Sequence, residues 1–276
     1  MQRGLLFAAQ QARVYSFQLK REDHMEKLYH IQLDDSHGAK YVLLPGDPGR
    51  VEKIAMLLDD PHFIGRNREY TTWLGTLLGE PILVMSTGMG GPSTAIGIEE
   101  LFMTGVRNFI RVGTCGGMAL PVMGGDLVIA TGAIRMEGTT REYLPIEFPA
   151  VADFELTGCL VDAARDGGYR YHAGVVQCKD SFYGQHSPGR MPVGYDLEQK
   201  WQAWIKGGAL ASEMESAALY IVCQFLGAKA ACILNTIWNQ ERRARGMDDT
   251  EDHDTMRGIR VAVEAIKLHM RRERNK

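Results

Sequence analysis

The chain has 276 residues, 45% of them hydrophobic and 24% charged, with a formal net charge of −3. That charge density excludes a polytopic membrane protein, and 31 glycines and 10 prolines are too few for a collagen-like or wholly disordered chain. A near-neutral balance leaves no electrostatic footprint for nucleic acid, so an anionic ligand must be held by local arginines.

Residues 1–24 carry Arg3, Arg13, Lys20 and Arg21 before the first acid, Glu22. They read as a flexible extension ahead of a working domain over 25–276. An organelle-targeting segment is the alternative, and the apolar stretch 5–9 is too short for a secretory signal. From there strands and helices alternate. A strand over 41–45 meets the turn Gly46-Asp47-Pro48, and Pro48 opens a helix reaching Leu58. Strands over 70–77 and 82–86 flank Gly79-Glu80. The Gly-rich turn 88–92 leads into a helix ending at Met103. A strand over 108–112 runs into a second Gly-rich turn, GTCGG. Strands over 127–131 and 173–178 bracket a helix over 154–165, and 182–199 is the least regular stretch. A helix over 212–225, a strand over 229–234 and a terminal helix bearing Ile259, Val263, Ile266 and Met270 at helical spacing complete the chain. The alternation predicts an α/β fold with a mixed, mainly parallel twisted sheet between two helical layers.

The 5 cysteines, Cys115, Cys159, Cys178, Cys223 and Cys232, form no C-x-x-C pair. This argues against a disulfide scaffold or structural zinc and for a reducing, cytoplasmic setting. The apolar stretch 217–234 is broken by Gln224, Gly227 and Lys229, so no membrane partner is expected.

Ligands of open α/β sheets collect beyond the carboxyl ends of the strands. Three of those ends carry glycine beside polar residues: Gly46-Asp47, the segment 88–91, and the segment 113–117 that holds Thr114 and Gly116. Such turns let backbone N–H groups approach an anion, although turn geometry alone also requires glycine. Arg111 lies inside the apolar strand FIRVG, where a guanidinium needs an anionic partner, either an internal carboxylate or a bound phosphate. Arg50, near the first turn of its helix, also suits an anion site, with an ordinary surface arginine as the alternative. In ASEMES, Ser212 with Glu215 fits a capping box, and a carboxylate there equally fits two sugar hydroxyls.

Seven segments, YVLLPGDPGRVEKIA, REYTTW, STGMGGPSTAIGIEEL, FIRVGTCGG, EFPAVADFE, DSFYGQ and ASEMESAAL, occur in an order that resembles the uridine phosphorylases of the nucleoside phosphorylase superfamily. The resemblance runs from about Tyr29 to the terminal helix. It implies a single-domain three-layer α/β/α fold and a pentosyltransferase that splits a nucleoside with phosphate, giving free base and ribose 1-phosphate. Phosphate is then a co-substrate and no organic cofactor is implied. It also implies a homo-oligomer, a hexamer built as a trimer of dimers with shared active sites.

By the same resemblance, Gly46, Arg50, Arg111 and Thr114 bind phosphate, with Arg68 arriving from the dimer partner. Glu215, Met214 and the nearby Glu213 hold the ribose, and His30 reaches its 5′-hydroxyl across the subunit boundary. Phe182, Gln185, Arg190 and Gly116 form the base site, with His186 able to share Arg190's role. Glu69, Met89 and Ser93 correspond to positions that hold a structural monovalent cation such as K+ at the dimer interface of some members. The chain departs from a common pattern twice. FYGQHSPGR puts the arginine five residues after the glutamine, and Gln240 stands where many members have arginine. Asn239, in place of a nearby aspartate, argues against purines. A purine nucleoside phosphorylase, a nucleosidase using water, and a non-catalytic nucleoside-binding protein remain the alternative readings.

Overall fold

The computed structural model describes residues 25–276, so the expectation for 1–24 lies outside the described residues. In chain order its strands are β1 (Tyr41–Leu44), β2 (Asp59–Asn67), β3 (Tyr70–Leu77), β4 (Glu80–Met85), β5 (Asn108–Gly117), β6 (Leu127–Met136), β7 (Ala150–Val151), β8 (Tyr171–Lys179), β9 (Ala211–Glu213) and β10 (Lys229–Asn239). Its helices are α1 (Val51–Ala55), α2 (Gly91–Met103), α3 (Phe154–Asp166), α4 (Phe182–His186), α5 (Gly194–Lys206), α6 (Ser216–Leu226), α7 (Gln240–Ala244) and α8 (Met256–Arg274).

β1 is buried at every position, as expected of a strand covered on both faces. Its alternate residues feed two separate cores. Val42 and Leu44 join Ile98, Leu101, Leu219 and Ile221 from α2 and α6. Tyr41 and Leu43 join Ile54, Leu156, Leu160, Ile259 and Ile266 from α1, α3 and α8. Period-two alternation of an all-apolar strand therefore creates the three layers. The terminal helix buries Ile259, Val263, Ile266 and Met270 on one side, as its spacing predicts.

The sheet is mixed. β1 pairs in parallel with β4 and β5, and β5 in parallel with β10. β2 and β3 extend one edge antiparallel. At the other side β10 pairs antiparallel with β6, β6 parallel with β8, β8 parallel with β9, and β9 antiparallel with β5. Those five strands close on themselves, which the α/β alternation does not reveal.

Four local expectations change. GTCGG is not a turn: β5 runs on to Gly117, with Gly116 and Gly117 paired to Ser212 and Ala211 on one side and to Trp238 and Asn239 on the other. A Cβ on Gly117 would lie 2.7 Å from the Asn239 amide nitrogen, so glycine serves close strand approach there. The helix expected from 212 begins at Ser216, because 211–213 is strand. The stretch 182–199 contains α4, whose Gly184 N–H donates to Ser181 Oγ at 2.9 Å, and the start of α5. Finally, the helix expected to reach Leu58 stops at Ala55, and β2 follows it. Its residues are mostly exposed or half-buried and include Pro61, so it lacks the apolar alternation of an ordinary strand. Among the described residues no helix is long and apolar enough to cross a membrane.

Asn239 ties the end of β10 to its surroundings. Its Nδ2 donates to the Ala119 and Val122 carbonyls at 2.8 and 2.7 Å, and its Oδ1 accepts from the Arg242 N–H at 2.9 Å, capping α7. Asn239→Ala strands these buried groups and is expected to lower unfolding free energy by about 2 kcal/mol in urea titration. An unchanged midpoint would contradict this role.

Candidate active site

The strand ends named by the sequence meet in one cavity of about 490 Å³. Gly46 follows β1, Gly88 follows β4, Thr114 and Gly116 lie in β5, Trp238 in β10 and Lys179 at the end of β8. Arg50, Arg111, Phe182, Gln185, Glu213, Met214 and Glu215 complete most of the lining.

Arg111 is buried, with a charge that burial alone would suppress. Burial pulls its pKa down, but Glu215 and Glu213 outweigh that and hold it above the ordinary value. One Nη2 N–H donates to the Glu215 carboxylate, and Nε lies 3.6 Å from Glu213. The internal-carboxylate reading is therefore correct for that edge of the guanidinium. Nε makes only that ionic contact and no hydrogen bond, and Nη1, on the other edge, is buried without a hydrogen-bond partner. Arg50 adds an unpartnered buried Nη1 to the same cavity. Burial lowers the Arg50 pKa, Asp47 opposes this, and neighbouring Arg111 lowers it further. These two like charges, each with a buried N–H that has no hydrogen-bond partner, line the cavity with Thr114 and Gly46, an arrangement whose chemistry suits an oxyanion. Gly46 allows this approach, since a Cβ there would meet the Gly88 carbonyl at 3.1 Å and the Arg111 guanidinium at 3.8 Å.

The Gly-rich turn 88–91 works less directly than expected. Gly88 and Gly90 adopt positive φ of 70° and 92°. The Gly90 N–H donates to Glu215 Oε1 at 2.6 Å, so it fixes a carboxylate. Glu215 is thus held from both sides, and burial still raises its pKa against the pull of Arg111. The capping box expected of Ser212 and Glu215 is absent. Glu213 does the capping, accepting from the Glu215 and Ser216 N–H groups at 2.9 and 3.0 Å.

Ser212 instead belongs to a polar cluster that includes a residue the sequence reading missed. Lys179 is buried in the cavity wall, and its Nζ donates to Ser212 Oγ at 2.6 Å. Burial lowers its pKa, partly offset by Glu213. Its signal is present in VVQCKD, a charge closing an apolar strand, which is the pattern that marks Arg111. Phe182, His186 and Trp238 form a tilted aromatic series, with centroids 4.3 and 5.6 Å apart, and Arg243 covers Trp238 at 4.2 Å. Burial, then Lys179, lowers the His186 pKa, so its ring is neutral at pH 7.

Three residues expected at the phosphate, ribose and base sites stand apart from this cavity. Arg190 is exposed in the turn Pro188–Arg190. Arg68 is exposed, 5.8 Å over the Tyr29 ring. His30 is engaged by Glu100, with Nδ1 at 2.5 Å. Asn239 is consumed by the contacts described above. Glu69 and Ser93 meet around Gly88, whose Cβ would lie 3.0 Å from Glu69 Cγ and 3.4 Å from Ser93 Oγ. Met89 is strongly exposed beside them, and its carbonyl accepts from Ser93 Oγ at 3.3 Å.

Residues 40–268 match the family model described as the phosphorylase superfamily. The chain is 58% identical to a uridine phosphorylase of Treponema pallidum, over 87% of this chain and 93% of the relative. It is 40% identical to a uridine phosphorylase of Escherichia coli, over 87% and 97%. A guanosine phosphorylase of Halorubrum lacusprofundi is 33% identical over 88% and 99%.

Inorganic phosphate is expected to raise the melting temperature of the folded protein by binding at the unpartnered guanidinium groups. In Arg50→Ala most of that rise is lost. An equal rise in both proteins would place the anion elsewhere.

Proposed function

We propose that this chain, which belongs to the phosphorylase superfamily, is a uridine phosphorylase converting uridine and phosphate reversibly to uracil and ribose 1-phosphate. The observation that carries the reading is the pair of guanidinium groups, Arg50 and Arg111, whose free N–H groups face one cavity beside Thr114. The similarity to uridine phosphorylases supports the choice of base.

Phosphate held by Arg50, Arg111, Thr114 and the Gly46 backbone sits below the sugar. One of its oxygens bonds to the anomeric carbon as the carbon–nitrogen bond to uracil breaks, and the bonding pair departs with the base. Positive charge on the sugar is met by phosphate, and negative charge on the base by donors already in place. Glu215 and Met214 hold the ribose. Arg111 fixes one Glu215 oxygen and Gly90 the other, so remaining lone pairs accept sugar hydroxyls. Gln185 faces the pyrimidine edge with its amide, Phe182 and Gly116 bound the ring, and Lys179 supplies the buried cation next to Gln185. Arg190 reaches the base by closure of its turn. No residue need donate a full proton, which agrees with Asn239 being occupied by carbonyls and a helix cap.

Arg68 and His30 complete the phosphate and ribose sites from a second copy, in a hexamer of shared dimers. Their position off their own cavity supports this, as does the exposed apolar surface of Tyr29 and Met89. Glu69 and Ser93 flank Gly88 and the Met89 carbonyl meets Ser93 Oγ, and oxygen-bearing groups of this kind suit a monovalent cation joining two copies. Five free cysteines support a reducing, cytoplasmic setting.

At saturating uridine, Arg111→Ala is expected to lower phosphorolysis by about 10²–10³, the usual cost of one such charge-stabilising donor. Near-normal turnover would refute the assignment. The Lys179 ammonium gives a pH signature. Its lowered pKa means that charge, and turnover with it, is lost on an alkaline limb below the ordinary lysine value of 10.5. The residual rate of Lys179→Met should lack that limb, and an unchanged limb would exclude Lys179.

A further inference from the structure

Behind the cavity lies a second one of about 500 Å³, which shares Lys179, Gln185 and His186 with it. Gln240 lines the second cavity, on the far side of Gln185. The Gln185 amide is held at both ends. Its Oε1 accepts from Ser212 Oγ at 2.6 Å, and its Nε2 donates to Gln240 Oε1 at 3.0 Å.

Counting protons shows how this orientation is enforced. Ser212 has one hydroxyl proton and accepts from Lys179, which has no acceptor. Its oxygen is also in hydrogen-bond contact with Gln177 Oε1. The hydroxyl can donate to only one of the two glutamines, so the other must turn its NH₂ toward it. Gln177 loses little by turning, because its Nε2 otherwise faces only the Met136 sulfur at 3.4 Å, a weak acceptor. Turning Gln185 would instead set its carbonyl against that of Gln240 and require the Gln240 amide to turn with it, so two amides would move in place of one. Gln185 therefore keeps its oxygen on Ser212 and its nitrogen on Gln240. One amide lone pair and one N–H remain for the cavity.

We infer that Gln240 is a specificity-determining positioning residue. By fixing the order of acceptor and donor on Gln185, it admits a base whose ring N–H adjoins a carbonyl and refuses one whose ring nitrogen there is an unprotonated acceptor. Uracil is of the first kind and cytosine of the second. The inference rests on the proposed uridine phosphorolysis and deepens it. A fixed amide order also lowers the ordering cost of binding, so its loss appears in KM more than in kcat.

The test compares wild type, Gln240→Ala, Gln240→Glu and Gln185→Ala as full chains, with uridine as substrate, phosphate saturating and cytidine as competitor. A glutamate at 240 can only accept from Gln185, so it preserves the order. Gln240→Glu should keep KM for uridine within about twofold of wild type. Gln240→Ala should raise it about fivefold to tenfold, the worth of one hydrogen bond, with a smaller change in kcat and a matching fall in uridine-over-cytidine preference. A wild-type KM and preference in Gln240→Ala overturns the inference. So does Gln240→Glu as impaired as Gln240→Ala, since packing would then be the cause. Gln185→Ala separates the two levels. If it is impaired while Gln240→Ala is normal, only the inference falls. If it turns over uridine like wild type, or wild type does not cleave uridine, the base-site reading falls and takes the inference with it.

Discussion

A guanidinium buried inside a β-sheet is the constraint around which the site is arranged. Arg111 sits on the central strand β5, where an unpaired charge would cost several kcal/mol. The fold meets that cost on one edge only. Glu215 and Glu213 come from the strand-to-helix junction after β9, and the rest of the guanidinium is left facing the cavity. The charge is thus stabilised within the fold while Nη1 keeps buried N–H groups without a hydrogen-bond partner.

That requirement propagates outward. To reach Arg111, Glu215 must be held by the Gly90 N–H, and this needs the positive-φ turn after β4. Glu213 has to cap α6, so the helix starts late and 211–213 stays extended between β5 and β8. Gly117 lets β5 and β10 approach closely, and the ring of five strands closes. The same closure sets Lys179 of β8 against Ser212 of β9, beside Gln185. The arginine end and the Gln185 end of the cavity are therefore built by one junction, with carboxylates turned toward Arg111 and a hydroxyl toward Lys179.

Much of this was legible in the sequence where one residue violates its surroundings. Arg111 in FIRVG announced a buried charge, the apolar run 41–44 announced a strand covered on both faces, and the spacing of Ile259, Val263, Ile266 and Met270 announced α8. Lys179, closing the apolar strand of VVQCKD, carries the same kind of signal. What failed were features set by long-range pairing. GTCGG has the composition of a turn and is a strand because β9 and β10 flank it. β2 is polar and contains Pro61, so only its pairing with β3 makes it a strand. Ser212 and Glu215 match a capping box by spacing, but pairing of 211–213 removes Ser212 from the helix. The roles proposed for Arg68 and His30 come from the resemblance alone, since their own packing, over Tyr29 and against Glu100, carries no signal of a ligand.

A chain with no bulk positive charge can still manage a dianion, because the cations are concentrated and desolvated where the strands end. The account stands on that anion being the nucleophile. Phosphorus NMR of the products formed from uridine in phosphate buffer reads this directly. Ribose 1-phosphate should appear in step with free uracil, and neither should form without phosphate. Uracil released with free ribose and no new phosphorus resonance would contradict the account.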